Sequence, residues 1–294
     1  MNRKGVAVPG RTLSGSSGVP LEYLLAFIRE DAPFGDITSE FVMPDVECSA
    51  EITARQAGVV SGLSEAERLF TYHAVDVTVN VADGSEVDRG DTLMALSGPV
   101  KAILLVERTA LNIIGRMSAI STRTRKFVDI AGANGAGCRI ASTRKTAPGL
   151  RILDKKAVRL GGGELHRISL SDGILIKDNH LVVVPLEEAV AAARAASVYR
   201  KIEVEVESTD TAVAAARAGA DIIMFDNMTP DEVRITLSVL EGLDLKKGLI
   251  IEISGSVNDE NIGEYAIPGV DVISVGALTH SVRNFDVSLD LRKK

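Results

Sequence analysis

The sequence predicts an α/β protein in which an N-terminal α+β domain precedes an incomplete, open α/β-barrel of parallel strands. Up to about residue 120, period-two strands are mixed with helical segments; beyond residue 137, short apolar runs alternate with helices. That alternation is the signature of βαβ units and a parallel sheet. Each of these runs ends in polar or glycine-rich residues, which a barrel would gather on a single face. A doubly wound sheet fits the alternation equally, but would concentrate such residues at one switch point.

Residues 1–20 are dominated by Gly, Ser, Val and Pro without the apolar segment of a signal peptide, and are expected to form a flexible tail. Leu21, Leu24, Leu25 and Ile28 recur at helical spacing, and residues 33–39 have the composition of a turn. Cys48, Ala50, Ile52 and Ala54 alternate with polar residues, which predicts a half-buried strand. Ser64 and Glu67 have the spacing of a capping box, ahead of a helix that buries Leu69 and Phe70. Val77, Val79 and Val81 mark a second strand, residues 83–91 a turn, and residues 93–96 a third strand. Pro99 then opens a long helix carrying Ile103, Val106, Ala110, Ile113, Ile114 and Met117.

After a glycine-rich loop at 131–137, six strands are expected at 139–142, 174–176, 202–207, 222–225, 249–253 and 270–275. Helices are expected between them at 185–197, 209–218, 229–240 and 258–265. Six strands are two fewer than a complete eightfold barrel requires, hence the open form.

Lys and Arg number 33 against 40 Asp and Glu, a formal charge of −7, and 7 Phe and 4 Tyr are the only aromatics. This acidity argues against general nucleic-acid binding, and the few aromatics offer little for stacking bases. No apolar run approaches the ~18 residues of a membrane span. Two cysteines make neither a disulfide framework nor a zinc site, so a reducing, cytoplasmic setting is expected. The four histidines lack metal-ligand spacing, and Cys138 reads as a small packing residue.

Between Arg139 and Lys177 stand nine Lys or Arg and only three acids. Such a concentration suits a cleft for a small polyanion. Lys155, Lys156 and Arg159 read best as a solvated helix face, whereas Arg144, Lys145, Arg167 and Lys177 fall at loops and strand ends, where ligands bind. In the 202–207 strand, Glu203, Glu205 and Glu207 share one face because the strand period is two. Pointing into a lumen, they would need cations, water or ligand hydroxyls, and Asp226 at the end of the next strand could join Glu205.

Several motifs resemble the quinolinate phosphoribosyltransferase family. They are Glu107 to Asn112, Thr143 to Arg151, Gly161-Gly162-Gly163 with His166-Arg167, Leu175 to His180, Glu203 to Val206, Phe225-Asp226-Asn227, Ser254-Gly255 and Val275 to Ser281. They follow the family's order from about residue 21 onward. The resemblance implies condensation of quinolinate with phosphoribosyl pyrophosphate (PRPP), with loss of CO₂ and pyrophosphate, to nicotinate mononucleotide in NAD biosynthesis. It also implies a barrel of six or seven strands, a catalytic domain at 123–279, an N-terminal domain at 21–122 with 280–294 packed on it, and a homodimer or higher oligomer.

By position, Arg108, Arg144, Lys145, His166, Arg167 and Lys177 would surround the quinolinate carboxylates, with Arg108 acting in the partner's site. Lys145 and Lys177 would also reach phosphates, and Thr143 would line the substrate. Glu205 and Asp226 would hold ribose hydroxyls, directly or through Mg²⁺, and with Lys145 and Lys177 form the catalytic set. The turns Ser254-Gly255-Ser256 and Gly276-Ala277-Leu278 would cradle the 5′-phosphate. Ser169 and Ser256 depart from the family's usual Gly, and Gly or Asn. Three other readings are a molybdate-transport-associated paralogue of the same fold, a Schiff-base lyase using Lys177 and a non-catalytic sensor of phosphorylated ligands.

Overall fold

The computed structural model describes residues 18–133, 135 and 137–293. The expected tail lies outside the described residues as far as position 17. Val19 is buried and its carbonyl accepts from Arg68 Nη1 at 2.6 Å, so this residue is held in the fold and does not belong to a flexible tail.

The first unit contains α1 (Leu21–Asp31), α2 (Ile37–Val42), β1 (Glu47–Ala54), β2 (Gly58–Val59), α3 (Leu63–Tyr72), β3 (Asp76–Val79), β4 (Glu86–Val87) and β5 (Thr92–Pro99). Cys48, Ala50, Ile52 and Ala54 point into its core, as their alternation predicts. The expected turn at 33–39 instead runs into α2, because Asp36 accepts from the backbone N–H groups of Thr38 and Ser39 and starts a helix. The expected capping box is replaced too. Gly62 precedes α3 in a left-handed conformation, and Asp83, from the following turn, accepts from the N–H groups of Leu63 and Ser64.

Helix α4 (Val100–Ala133) leaves this unit and enters the next without a break. At 1.5 Å per residue its 34 residues span about 50 Å. Its early apolar positions, Ile103 to Met117, pack with the first core, while Phe127 and Ala131 belong to the second.

The second unit holds β6 (Arg139–Ser142), α5 (Arg151–Leu160), β7 (Ile174–Ile176), α6 (Asp178–Leu181), α7 (Leu186–Ala196), β8 (Ile202–Val206), α8 (Thr209–Ala218), β9 (Ile222–Asp226), α9 (Pro230–Gly242), β10 (Ile250–Ser254), α10 (Ile262–Tyr265), β11 (Val272–Val275) and α11 (Ala277–His280). Its strands are parallel in the order β6-β11-β10-β9-β8-β7. Strands β6 and β7 are the two edges, so the barrel is open between them. Glu164 occupies that gap, making a one-residue parallel bridge to Ala141 on β6. The helix expected at 258–265 forms only as α10, after an Asn258–Asn261 turn.

Strand β12 (Val287–Lys293) returns to the first unit and pairs antiparallel with β1, giving a sheet of order β12-β1-β5-β3. No helix among the described residues is long and apolar enough to cross a membrane.

Helix α5 fastens the units together and corrects the expectation of a solvated face. Lys155 is 2% exposed. Its ammonium donates to the carbonyls of Ser142, at 2.9 Å, and Leu165. Lys156 reaches Glu65 on α3 at 2.7 Å; Arg159 alone of the three is exposed. Gly161 lets α5 end directly against α4, since a Cβ there would lie 2.5 Å from the Ser121 carbonyl oxygen. Arg116 of α4 grips Asp154 of α5 through two hydrogen bonds of 2.8 and 2.9 Å and also donates to the Thr279 carbonyl in α11. Asp154 is fully buried, so removing its partner leaves a buried carboxylate without its cation. Arg116→Ala is therefore expected to lower unfolding stability by about 3–5 kcal/mol, read as a lower urea midpoint at constant slope.

Candidate active site

The alternation along the parallel strands sorts residues between helices and lumen. Ile202, Val204, Val206, Ile223, Phe225, Ile251, Ile253, Ile273 and Val275 are buried in the helix-covered core. Glu203, Glu205, Met224, Asp226, Glu252, Ser254 and Ser274 occupy the opposite set and line cavities within the sheet or contact those that do. Glu207, expected on this face, lies beyond the end of β8 and is exposed.

At the C-terminal strand ends lies a cavity of about 490 Å³. Thr143, Arg144, Lys145, His166, Arg167, Lys177, Glu205, Asp226, Ser254, Gly255 and Ser256 all line it, spread over 114 positions of the chain yet brought together by five strands and the gap segment. Leu175, Met224, Asn227, Glu252 and Ser274 complete the lining and have no site role in the sequence reading, although Leu175 and Asn227 fall within the family motifs. Their signal was present, since each sits two residues from a selected one or next to it on a strand of period two.

Four expected site residues lie elsewhere. Arg108 is exposed on α4 and does not line the cavity. Gly276 is just outside the lining and abuts Lys145, whose Cδ would be 3.2 Å from a Cβ at 276. The Ala277 carbonyl accepts from Arg123 Nη1 at 2.7 Å. Leu278 is buried in the second core, which leaves only its backbone for ligand contact.

Cations and carboxylates are matched inside the site. Lys177 Nζ is hydrogen-bonded to Glu205, a carboxylate only 10% exposed. Burial first, and the neighbouring Arg144 charge second, hold the Arg167 pKa below its usual value. Two guanidinium groups brought this close favour an anion between them. Arg144 Nε is moreover buried with no hydrogen-bond partner among the described residues.

Below them His166 Nε2 lies 3.0 Å from Glu203 Oε2 and 3.6 Å from Glu252 Oε2. Burial pulls the His166 pKa down, but the Glu203 hydrogen bond and both carboxylate charges outweigh it, and the net direction is up. Burial and the Glu203 charge push Glu252 up to about 7. Burial and the Arg151 charge bring Lys155 down to about 8. The ligand atoms of His166, Glu203 and Glu252 fall within 4.8 Å of one another, but Lys155 supplies positive charge beside them. Cys138, outside the cavity, has its thiol pKa raised by burial and remains a packing residue.

The site also collects backbone strain. His166, Asn227 and Ser256 are three of the five described non-glycine residues with positive φ, at 50°, 54° and 55°. This explains why Gly or Asn suits position 256, whereas Ser169 has ordinary backbone and accepts from Ser171 N in a turn closed by Asp172.

An open parallel barrel with clustered cations and carboxylates at its C-terminal strand ends defines an enzyme of the α/β-barrel class acting on a small anionic substrate. The family models for the quinolinate phosphoribosyl transferase N-terminal and C-terminal domains match residues 36–118 and 120–290. The chain belongs to the quinolinate phosphoribosyltransferase family. It is 43% identical over 275 residues to a probable nicotinate-nucleotide pyrophosphorylase [carboxylating] of Methanothermobacter thermautotrophicus, covering 92% of this chain and 99% of that protein. A protein of the same name from Bacillus subtilis is 40% identical over 269 residues, covering 90% and 91%. The crystal structure of NadC from Streptococcus pyogenes superposes with a TM-score of 0.87 at 34% identity, covering 95% of this chain and all of that one.

Gly255 tests how tightly the turn after β10 is built. Its φ is +90°, and a Cβ would stand 2.3 Å from Asn227 Oδ1 and 2.8 Å from Asn227 N. Gly255→Ala is expected to cost about 1–3 kcal/mol in a denaturant titration. Ser169→Gly, outside any such constraint, should change stability by less than about 1 kcal/mol.

Proposed function

We infer that this protein condenses quinolinate with PRPP, releasing CO₂ and pyrophosphate and forming nicotinate mononucleotide for NAD biosynthesis. One observation carries the reading: a single cavity joins Arg144, Lys145, Arg167 and Lys177 to Glu205 and Asp226. The cations match a dicarboxylate plus phosphates. The Arg pair can bind carboxylates through paired N–H groups, which turns the pyridine nitrogen toward the anomeric carbon. A ligand carboxylate would also give Arg144 Nε its acceptor, removing the ~1–3 kcal/mol penalty of a buried unpaired donor.

Departure of pyrophosphate leaves positive charge on the ribose, and Glu205 and Asp226 stand where they can stabilise it while Lys145 and Lys177 neutralise the leaving group. The turns 254–256 and 276–278 offer backbone N–H groups to the 5′-phosphate. Once alkylated, the cationic ring nitrogen draws in the electron pair that departing CO₂ leaves behind.

Glu205 and Asp226 also suit Mg²⁺, because hard carboxylate oxygens at one wall of a phosphate-binding cavity are its ordinary donors. The ion would supply charge neutralisation for PRPP. Incubation with quinolinate, PRPP and Mg²⁺ should yield CO₂ and nicotinate mononucleotide in equal amounts. Nicotinate should be a far poorer substrate, by two orders of magnitude or more in kcat/KM, because one Arg would lose its partner in a desolvated site. Equal kcat/KM for the two acids sinks the assignment.

Two features support a homodimer with shared sites. Phe34, Ile37, Phe41 and Val42 form an exposed apolar stretch at and before α2, with Phe34 95% and Phe41 86% exposed. Arg108 is exposed and outside its own chain's cavity, free to complete the site of a partner. Arg108→Ala and Lys145→Ala should each be nearly inactive. Co-refolded, they should recover about a quarter of wild-type activity, since half the dimers are hybrids and each hybrid has one intact site. Verified hybrids that stay inactive rule out action across the interface.

A further inference from the structure

Loss of CO₂ from quinolinate requires a proton. The bond between C2 and its carboxylate breaks, CO₂ leaves, and the bonding pair stays on C2 beside the cationic nitrogen. A C2–H bond must then form, or the carbanion recaptures CO₂. We propose, resting on the quinolinate reading above, that His166 supplies this proton from Nδ1 while Glu203 and Glu252 hold its ring as imidazolium from beneath. The proton passes to C2 and the ring is left neutral with Nε2–H; a solvent proton restores Nδ1 after product release.

The geometry sets His166 apart from the other donors at the cavity. It follows the gap segment at Glu164 and immediately precedes Arg167, so it stands beside the groups that draw the substrate carboxylates. Its Nε2 is engaged by Glu203 and faces Glu252, whereas no described residue is hydrogen-bonded to Nδ1. Lys177, the nearest alternative in chemistry, is already ion-paired with Glu205. The +50° φ at His166 is a costly conformation for a non-glycine residue, and it fixes where the ring leaves the backbone.

The support beneath the ring comes from several elements. Glu203 lies on β8 and Glu252 on β10, and Ser274 of β11 donates to Glu252 Oε1 at 2.5 Å. Lys155 of α5 opposes them as a second cation. The net upward direction of the His166 pKa favours the protonated ring, the form a general acid requires. Glu203 and Glu252 are positioning residues here, since they act through the ring.

A rapid-quench single turnover with carboxyl-labelled quinolinate and PRPP separates the two chemical steps. In His166→Gln, whatever the effect on substrate binding, the rate of CO₂ release relative to that of pyrophosphate should fall by about 10²-fold or more, and the dicarboxylate mononucleotide should accumulate. Pyrophosphate and CO₂ falling together, or CO₂ release unchanged, overturns the proposal. Glu252→Gln keeps the shape and the Ser274 contact but removes a charge. The alkaline limb of CO₂ release, and the titration of the His166 ring followed by ¹⁵N NMR, should both move to lower pH, while the pH dependence of pyrophosphate formation stays. An unmoved limb and an unmoved ring overturn it as well. If the wild type forms no pyrophosphate from quinolinate, the functional reading itself fails and takes this proposal with it.

Discussion

Carboxylates inside a parallel sheet are the constraint that the rest of this molecule answers. Glu203, Glu205, Asp226 and Glu252 come from three neighbouring strands and share the interior of the barrel, where an uncompensated charge is costly. The strands themselves supply no cation at that depth. Compensation enters through the break between β6 and β7: Lys155 bonds to the backbone of β6 and of the segment that fills the break, and His166 and Arg167 follow the Glu164 bridge that occupies it. Lys177 closes the set from the end of β7. A closed eightfold barrel would have no such entry. The open edge is thus the route by which the acidic lumen acquires the positive charge needed to receive an anionic substrate.

Much of this was legible in the sequence, for a physical reason. A parallel strand covered by helices needs apolar residues on its outer face whatever its lumen holds, so β6 to β11 announced themselves as short β-branched runs. The three-glutamate alternation of β8 stood out against that background. Glu252 did not, because one acid within Ile250 to Ser254 looks like an isolated exception. Lys155 was concealed by its neighbours: Lys156 and Arg159 lie on the same helix, and helical spacing alone cannot tell which cation turns inward. Its partners are backbone carbonyls, which have no sequence signature.

The remaining surprises are contacts between distant positions. Asp83 caps a helix whose own sequence offered Ser64 and Glu67, a case of tertiary structure overriding a local motif. Strand β12 pairs with a strand more than two hundred residues earlier, so although the resemblance places 280–294 against the N-terminal domain, nothing nearby in sequence says which strand it joins. Site residues were clearest where chemistry and backbone coincide, as at Gly255, whose close approach to Asn227 leaves no room for a side chain between them.

Strand β12 has a further consequence, which concerns synthesis on the ribosome. The first sheet is interrupted in sequence by the entire barrel, since β5 and β12 are separated by α4 and all six parallel strands. As the chain emerges, β1 can pair with β5 early, but its other edge waits until the barrel has been made. For that interval the nascent protein presents an open strand of alternating apolar residues, a template for pairing with other chains. The barrel, in which β7 to β11 each pair with their neighbours in sequence and only β6 waits for β11, can assemble meanwhile on α4. Final closure of the first sheet then becomes a late event in the life of each chain, and a natural point at which a chaperone would have to guard it.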